Sequence, residues 1–384
     1  MVDFTEASLD PDDVLILLAG DLVLDAEEPD HWLSGIAPAV RAAHVSIGHL
    51  EVPHTRRGKE LIGDVPAAPA APEHLDALAR CGFTALTLGG NHIADWGGEG
   101  IEDTRERLDR LGIEHTGAGA TLAEARRSAW LECRGKRIAV LSYNCVGPEA
   151  GWASAERPGC NYLRIATADG SPVAPAAPLA HVTEEALRQL REDVAAVRAD
   201  ADVVVVALHK GIVHTPAKLA PYERPLAAAA VAAGADIVVG HHAHLLRGIE
   251  MVNGRPVFHG LGNACVVTHA LSPGQDHPAR AAWVARRRKL FGFEPDPRYT
   301  LAPFHPDAVH GALGVVILHA DGRRSTGVVP LWVEPPGRPL CVDDERAEAA
   351  IEYLDWITRE AGMPALRWRR ASTFLWLCDP LHER

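Results

Sequence analysis

No two of the seven cysteines in this 384-residue chain lie close enough in sequence to make a zinc knuckle or a redox pair. They stand singly at Cys81, Cys133, Cys145, Cys160, Cys265, Cys341 and Cys378, and their number is odd. Scattered thiols suit a reducing compartment better than a disulfide framework. Basic charge is also scarce: 38 Lys and Arg face 51 Asp and Glu, for a net charge of −13. That balance argues against a nucleic-acid partner, which needs a concentrated basic face. The one basic run, Arg286, Arg287, Arg288 and Lys289, reads as a solvated helix end. Long apolar runs are missing too. The first, residues 14–20, falls far short of a signal core or a membrane span, and the opening residues are acidic. The expectation is a cytoplasmic protein without membrane contact. Neither internal repeats nor a clear linker interrupts the chain.

What is present is a globular composition, 47% hydrophobic and 23% charged, with ample material for a large core. Compact apolar runs at residues 15–19, 44–47, 84–88, 137–143, 203–208 and 236–239 end in Gly, Asp, Asn or His. Between them, residues 73–80, 100–111, 184–199 and 222–233 carry helical spacing. This alternation predicts an α/β domain with a largely parallel or mixed sheet and helices outside. In such sheets ligands gather beyond the carboxyl ends of the strands. Residues 249–258 read as a hairpin turning at Asn253-Gly254, and 313–333 as two strands around Asp321-Gly322. Residues 268–310, rich in Pro, Arg and His, are predicted irregular and a candidate lid. A catalytic domain over 1–335 is expected, followed by a C-terminal helical extension, 336–384, that opens with a helix over 343–360.

Five predicted strand ends carry metal-ligand chemistry: Gly20-Asp21, His49-Leu50-Glu51, Asn91-His92-Ile93-Ala94-Asp95, His209-Lys210-Gly211 and His241-His242-Ala243-His244. Singly, each has a plain structural reading: Gly-Asp as a turn or cap, a lone His as a hydrogen-bonded residue. His-x-His on an extended segment says more, because alternate residues of a strand share a face. The set of five is what points to a metal centre. Imidazole, carboxylate and amide together suit one or two divalent transition-metal ions (Zn, Mn, Fe or Ni) rather than calcium. The absence of thiolates from the cluster speaks against a structural zinc.

In this order the motifs resemble the CapA-type family of the calcineurin-like metallophosphoesterase superfamily, which is linked to poly-γ-glutamate capsules. The resemblance spans roughly residues 14–265 and continues in Gly100-Ile101-Glu102-Asp103-Thr104, Gly117-Ala118-Gly119, Gly234-Ala235-Asp236 and His259-Gly260-Leu261-Gly262-Asn263. It implies a four-layer αββα sandwich of the metallophosphoesterase type, here with C-terminal additions. It also implies Asp21, Glu51, Asn91, His209, His242 and His244 as metal ligands, with Glu51 bridging. His92 matches the residue that assists the reacting oxygen or leaving group, and Asp95 is placed to orient it. Three departures stand out. Val23 fills a place where the wider superfamily has a histidine, so one ion position has fewer ligands. His49 replaces the usual Asn, as an extra ligand or a partner behind one. Residues 209–214 lack the family's acidic–aromatic pair.

Lys210, His214, Arg280 and Arg298 are candidate oxyanion binders, although each is commonly a solvated charge. Tyr143 and Asn144 are expected to line the pocket. Cys145 as nucleophile is redundant beside a metal, and His305 and His310 are candidate lid contacts or proton relays. The expected activity is hydrolysis of a C–N amide bond by a metal-activated water, in a small-molecule or short γ-glutamyl substrate or another carboxylate-bearing amide. A phosphomonoesterase or phosphodiesterase using the same cluster is the alternative, and a non-enzymatic partner in poly-γ-glutamate assembly the third reading.

Overall fold

The computed structural model describes residues 9–61, 67–271 and 276–380. The acidic opening residues lie outside that range. Val14–Leu24 is the axis of a ten-stranded mixed sheet. It runs parallel to Val45–Leu50 and, through its second half, to Asn263–Val267, and antiparallel to His310–Leu318. Ala85–Thr87 and Glu114–Thr116 extend the sheet on one side. Arg324–Glu334 and the pair Leu366–Arg370 and Trp376–Pro380 extend it on the other. The second sheet has six strands, in the order Leu246–Val252, Arg255–Leu261, Ile237–His241, Val203–His209, Lys136–Asn144 and Ala129–Cys133. Its four inner strands are parallel, and both edge strands run antiparallel.

Strand periodicity explains how the sheets stack, since successive residues point to opposite faces. Ile16, Leu18 and Ile47 of the first sheet meet Val140, Val205, Val239 and Phe258 of the second in a dry core between them. The alternate residues turn outward: Leu15 and Leu17 toward Leu33, Leu75 and Leu78, and Val204, Val206 and Leu208 toward Leu190, Val194 and Leu226. Each fully buried aliphatic side chain contributes about 1.5–3 kcal/mol. The result is the expected four-layer αββα sandwich of the metallophosphoesterase type.

The tail is more than a helix. Glu345–Glu360, capped by the Asp344 side chain, buries Ile351, Leu354 and Ile357 against the edge of the inter-sheet core. Beyond it the chain returns as the Leu366–Arg370 and Trp376–Pro380 hairpin. The period-two signal there is only five residues long per strand, too short to show through the basic and aromatic composition. The irregular reading of 268–310 is likewise corrected: Pro278–Phe291 is a helix. Only Arg287 of that helix is buried, so it carries no apolar stripe from which a helical period can be read. Among the described residues no helix is long and apolar enough to cross a membrane.

Candidate metal centre

Register brings the polar residues to one edge of the sandwich. Asp21 sits opposite His49 on the neighbouring parallel strand, and His209 opposite His241. At Asp21 the pairing register of the first strand slips on both sides. Gly20 makes that slip possible, because a β-carbon there would lie 1.9 Å from the Gly262 carbonyl oxygen. The Asp21 N–H then donates to the same oxygen at 3.1 Å. Glu51 follows Val45–Leu50 directly, and Asn91 and His92 lie in the turn after Ala85–Thr87.

Asp21, His49, Glu51, Asn91, His209, His241 and His242 are all buried. Asn91 Oδ1 lies 2.6 Å from His209 Nε2, which is 3.1 Å from His242 Nδ1. Both carboxylate oxygens of Asp21 accept the His242 N–H at 3.3 Å. His244 Nε2 approaches Glu51 Oε1 at 3.4 Å, and its Nδ1 is held 2.8 Å from Asn263 Oδ1. Burial and the neighbouring Glu51 charge push Asp21 up to about 8. Burial disfavours a charged His244, but the Glu51 and Asp21 carboxylates override it and raise the ring to about 9. Burial pulls His241 down to about 4 and His242 to about 3, so both rings are neutral lone-pair donors at neutral pH.

Whether a metal fits can be judged from what these groups lack. Among the described residues, both Glu51 oxygens, His49 Nε2, His209 Nδ1, His241 Nδ1 and His242 Nε2 are buried with no hydrogen-bond partner. A buried polar group left so costs about 1–3 kcal/mol. Six such atoms gathered at one sheet edge are the arrangement that bound cations would satisfy. Two triads, Glu51–His209–His242 and Asp21–His49–His209, each have ligand atoms within 4.8 Å of one another. The donor set is imidazole and carboxylate, right for a borderline divalent ion.

A cavity of about 940 Å³ opens over the cluster, with Glu51, Asn91, His92, His242 and His244 lining it. Its walls are largely apolar, with Ile212, Val213, Trp283, Leu290, Phe291 and Phe304 prominent. Arg280 and Arg286 add positive charge, and Val23 occupies lining surface where a histidine would have offered a ligand. His92 is 21% exposed, with Nδ1 held 2.6 Å from Asp95 Oδ2. The Asp95 carboxylate also accepts the Ala67 N–H at 2.6 Å.

The candidate substrate-binding residues divide. His214 and Arg280 line the cavity, His214 inside a cluster of aromatic rings that includes Phe291, Phe293 and Phe304. Lys210, Tyr143, Asn144 and His49 do not line it. Lys210 is fully buried, with Nζ 2.7 Å from Glu223 Oε2 and 3.1 Å from His259 Nδ1. Tyr143 points to the opposite face, where its hydroxyl donates to Asp193 at 2.9 Å. Asn144 ties down the turn after its strand, donating to the Gly90 and Gly147 carbonyls. The reason is common to all three: at a strand end, sequence gives proximity to the edge but not which face the side chain takes. Arg298 is exposed and paired with Asp296. His305 and His310 pack on Phe293 and Tyr353. The Cys145 thiol is fully buried, and burial raises it far above the ordinary thiol range.

The His-x-His argument named residues that the structure brings to the cluster, but strand alternation is not what brings them there. The strand ends at His241, and His242 and His244 have φ of 88° and 55°. A left-handed turn, not strand alternation, aims them. Two positions at the cluster escaped the sequence reading. His241 stood unassigned inside Gly-His-His-x-His, and its ring stacks on His49 at 4.6 Å. Asn263 lay in a motif already quoted, but only the tertiary fold shows that it orients His244.

Sandwich and cluster together define an α/β protein with an imidazole–carboxylate site at one edge of its two sheets. The model of the bacterial capsule synthesis protein PGA_cap family matches residues 15–267, and the chain belongs to that family. It is 29% identical over 194 residues to the capsule biosynthesis protein CapA of Bacillus anthracis, covering 50% of this chain and 43% of that protein. Against the PGA biosynthesis protein CapA of Bacillus subtilis it is 29% identical over 243 residues, 63% of this chain and 58% of the relative. A probable polyglutamine synthesis accessory protein of Mycobacterium tuberculosis is 33% identical over 208 residues, 52% of this chain and 47% of the relative. The chain thus spans about half the length of the curated relatives it matches.

Proposed function

We propose that the chain is a metal-dependent hydrolase that cleaves a C–N amide bond in a short, carboxylate-bearing substrate of the γ-glutamyl kind. The observation that carries this reading is the set of unpartnered buried ligand atoms beneath a large cavity. Asp21, Glu51, Asn91, His209, His242 and His244 would hold one or two divalent ions (Zn, Mn, Fe or Ni). A bound divalent ion supplies Lewis acidity toward a carbonyl oxygen and makes water a nucleophile at neutral pH. His92 faces the cavity, and Asp95, by accepting from Nδ1, fixes the tautomer that leaves Nε2 to exchange a proton with the departing nitrogen. Arg280 and Arg286 offer counter-charge to a substrate carboxylate. The relatives' names speak of capsule, PGA and polyglutamine synthesis, which favours a glutamyl-type amide. The cavity supports a small substrate over a long polyanion, since its apolar walls suit a compact organic group.

Phosphoester hydrolysis is the second reading, because the same two arginines and the same ligand set serve a phosphoryl group as well. The deciding experiment is metal analysis of the purified protein with a screen of γ-glutamyl anilides, short γ-glutamyl peptides and aryl phosphoesters, before and after chelation. Bound transition metal with chelator-sensitive amide cleavage is expected. Chelator-sensitive phosphoester cleavage alone would replace the first reading with the second. A protein that takes up no metal and turns over neither class would leave a partner in poly-γ-glutamate assembly.

A further inference from the structure

We infer that the amide this cavity takes is a γ-glutamyl dipeptide ending in a large apolar residue, its two carboxylates met by Arg280 and Arg286 with Trp283 between them; the inference rests on the hydrolase reading of the site. Hydrolysis adds water across the C–N bond and gives glutamate and a free apolar amino acid.

Charge is the first argument. The chain carries a net charge of −13, yet Lys218, Arg280 and Arg286 all line the cavity. Among the described residues Glu51 is the one carboxylate that does. An anionic substrate therefore meets a local excess of positive charge. Spacing is the second. Both arginines stand on the Pro278–Phe291 helix, and from one to the other the axis advances about 9 Å, with Trp283 midway. The two carboxylate carbons of a γ-glutamyl dipeptide are seven bonds apart, roughly 8–9 Å when extended, with the scissile amide between them. A guanidinium fork suits a carboxylate at each end.

The apolar walls select the leaving residue. Trp283 is held in place by the buried Arg287, whose guanidinium lies 5.2 Å from its ring and donates to the Pro303 carbonyl at 2.6 Å. The Trp283 ring stands 6.1 Å from Phe291 and 6.2 Å from His214. Pro175, Ala177, Pro178, Ile212 and Val213 supply further lining without charge. An apolar side chain on the leaving residue gains from desolvation against these walls. A second glutamate would bring a carboxylate onto the same surface at a cost. Phenylalanine or leucine is thus preferred to glycine or glutamate as the leaving residue.

The test is kcat/KM of the metal-loaded protein on γ-glutamyl-phenylalanine, -leucine, -glycine and -glutamate, and on γ-glutamyl-phenylalaninamide, which lacks the C-terminal carboxylate. Phenylalanine and leucine are expected to exceed glycine and glutamate by about 10–100-fold, the scale of burying one large apolar side chain. Trp283→Ala should collapse most of that ratio. Arg280→Gln and Arg286→Gln should each lower kcat/KM on γ-glutamyl-phenylalanine by about 10–100-fold, as loss of a charged hydrogen bond does. On the amide one of these two losses should disappear, which assigns that arginine to the C-terminal carboxylate. The comparison among dipeptides needs no variant, so it stands even where Trp283→Ala folds poorly. Equal kcat/KM across the four dipeptides, a ratio unmoved in folded Trp283→Ala, or losses at both arginines that persist on the amide overturns the inference and leaves the proposed function intact. Turnover of none of the γ-glutamyl compounds overturns both.

Discussion

Lys210 Nζ lies 2.7 Å from Glu223 Oε2, and both side chains are shut off from solvent, at 0% and 1% exposure. Glu223 Oε1 accepts the Ala220 N–H at 2.6 Å, and Arg247 reaches both Glu223 and the Thr215 and Lys218 carbonyls. This buried network fixes the segment whose Ile212, Val213 and His214 form one wall of the cavity. The lysine that the sequence offers as an oxyanion binder is instead an anchor for the loop.

Lys210→Met is therefore expected to cost stability rather than substrate affinity. Removing one partner of a buried pair leaves an uncompensated charge, at about 3–5 kcal/mol. Urea unfolding should show a lower midpoint, with KM of the folded enzyme unchanged. An unchanged midpoint with a raised KM would return Lys210 to the substrate.

The contact between His92 and Asp95 makes a different prediction. His92→Gln is expected to lower kcat by about 10²–10⁴-fold, the usual contribution of a positioned acid or base. Asp95→Asn should lower it by about 10–100-fold, the scale seen for groups that orient a functional histidine. The readout is the pH profile of kcat: loss of the limb that reports the imidazole in His92→Gln, and a shift of that limb in Asp95→Asn. Loss of metal in either variant would instead mean that His92 helps hold the ion.

Much of this centre was legible in sequence because ligands follow strands, and strands announce themselves as apolar runs. Asp21, Glu51, Asn91 and His209 stand just beyond the ends of apolar runs, and the family resemblance singled them out from their neighbours. Legibility failed where geometry departs from periodicity. His242 and His244 reach the cluster through left-handed backbone, and Tyr143 leaves its strand on the face away from the cavity. Pro278–Phe291 was invisible as a helix because it packs beside a cavity rather than on a core. Asn263, separated from His244 by a hairpin, has no local signal for its role.

Asn263 supplies a prediction of its own. Its Oδ1 lies 2.8 Å from His244 Nδ1, which fixes the ring that approaches Glu51. Asn263→Ala is expected to weaken metal affinity by about 10–100-fold with the fold retained, as loss of a ligand's hydrogen-bond partner does. Competition with a chromogenic chelator measures it, and Asn263→Asp, which keeps an acceptor, should restore most of the affinity. An alanine variant as tight as wild type would show that His244 is held by packing alone.

Acid should unfold the protein through histidines outside the metal centre. Burial lowers His54 to about 3 and His259 to about 4, against an ordinary 6.5. For His259 the adjacent Lys210 charge adds to that effect, and the Glu250 carboxylate opposes it. Both rings are neutral when folded but take up a proton when unfolded below pH 6.5, so unfolding binds protons. Their contribution is therefore fully present above pH 6.5 and is lost as the pH falls through 4 toward 3. Denaturant midpoints measured from neutral pH downward should fall over that window. His259 Nε2 lies 2.9 Å from Glu250 Oε1, with Lys210 Nζ against its other nitrogen. His259→Gln keeps hydrogen-bonding capacity but cannot titrate. It should show a shallower fall below pH 6.5 at some cost in stability at neutral pH, and a slope equal to that of wild type would mean that other groups carry the acid transition.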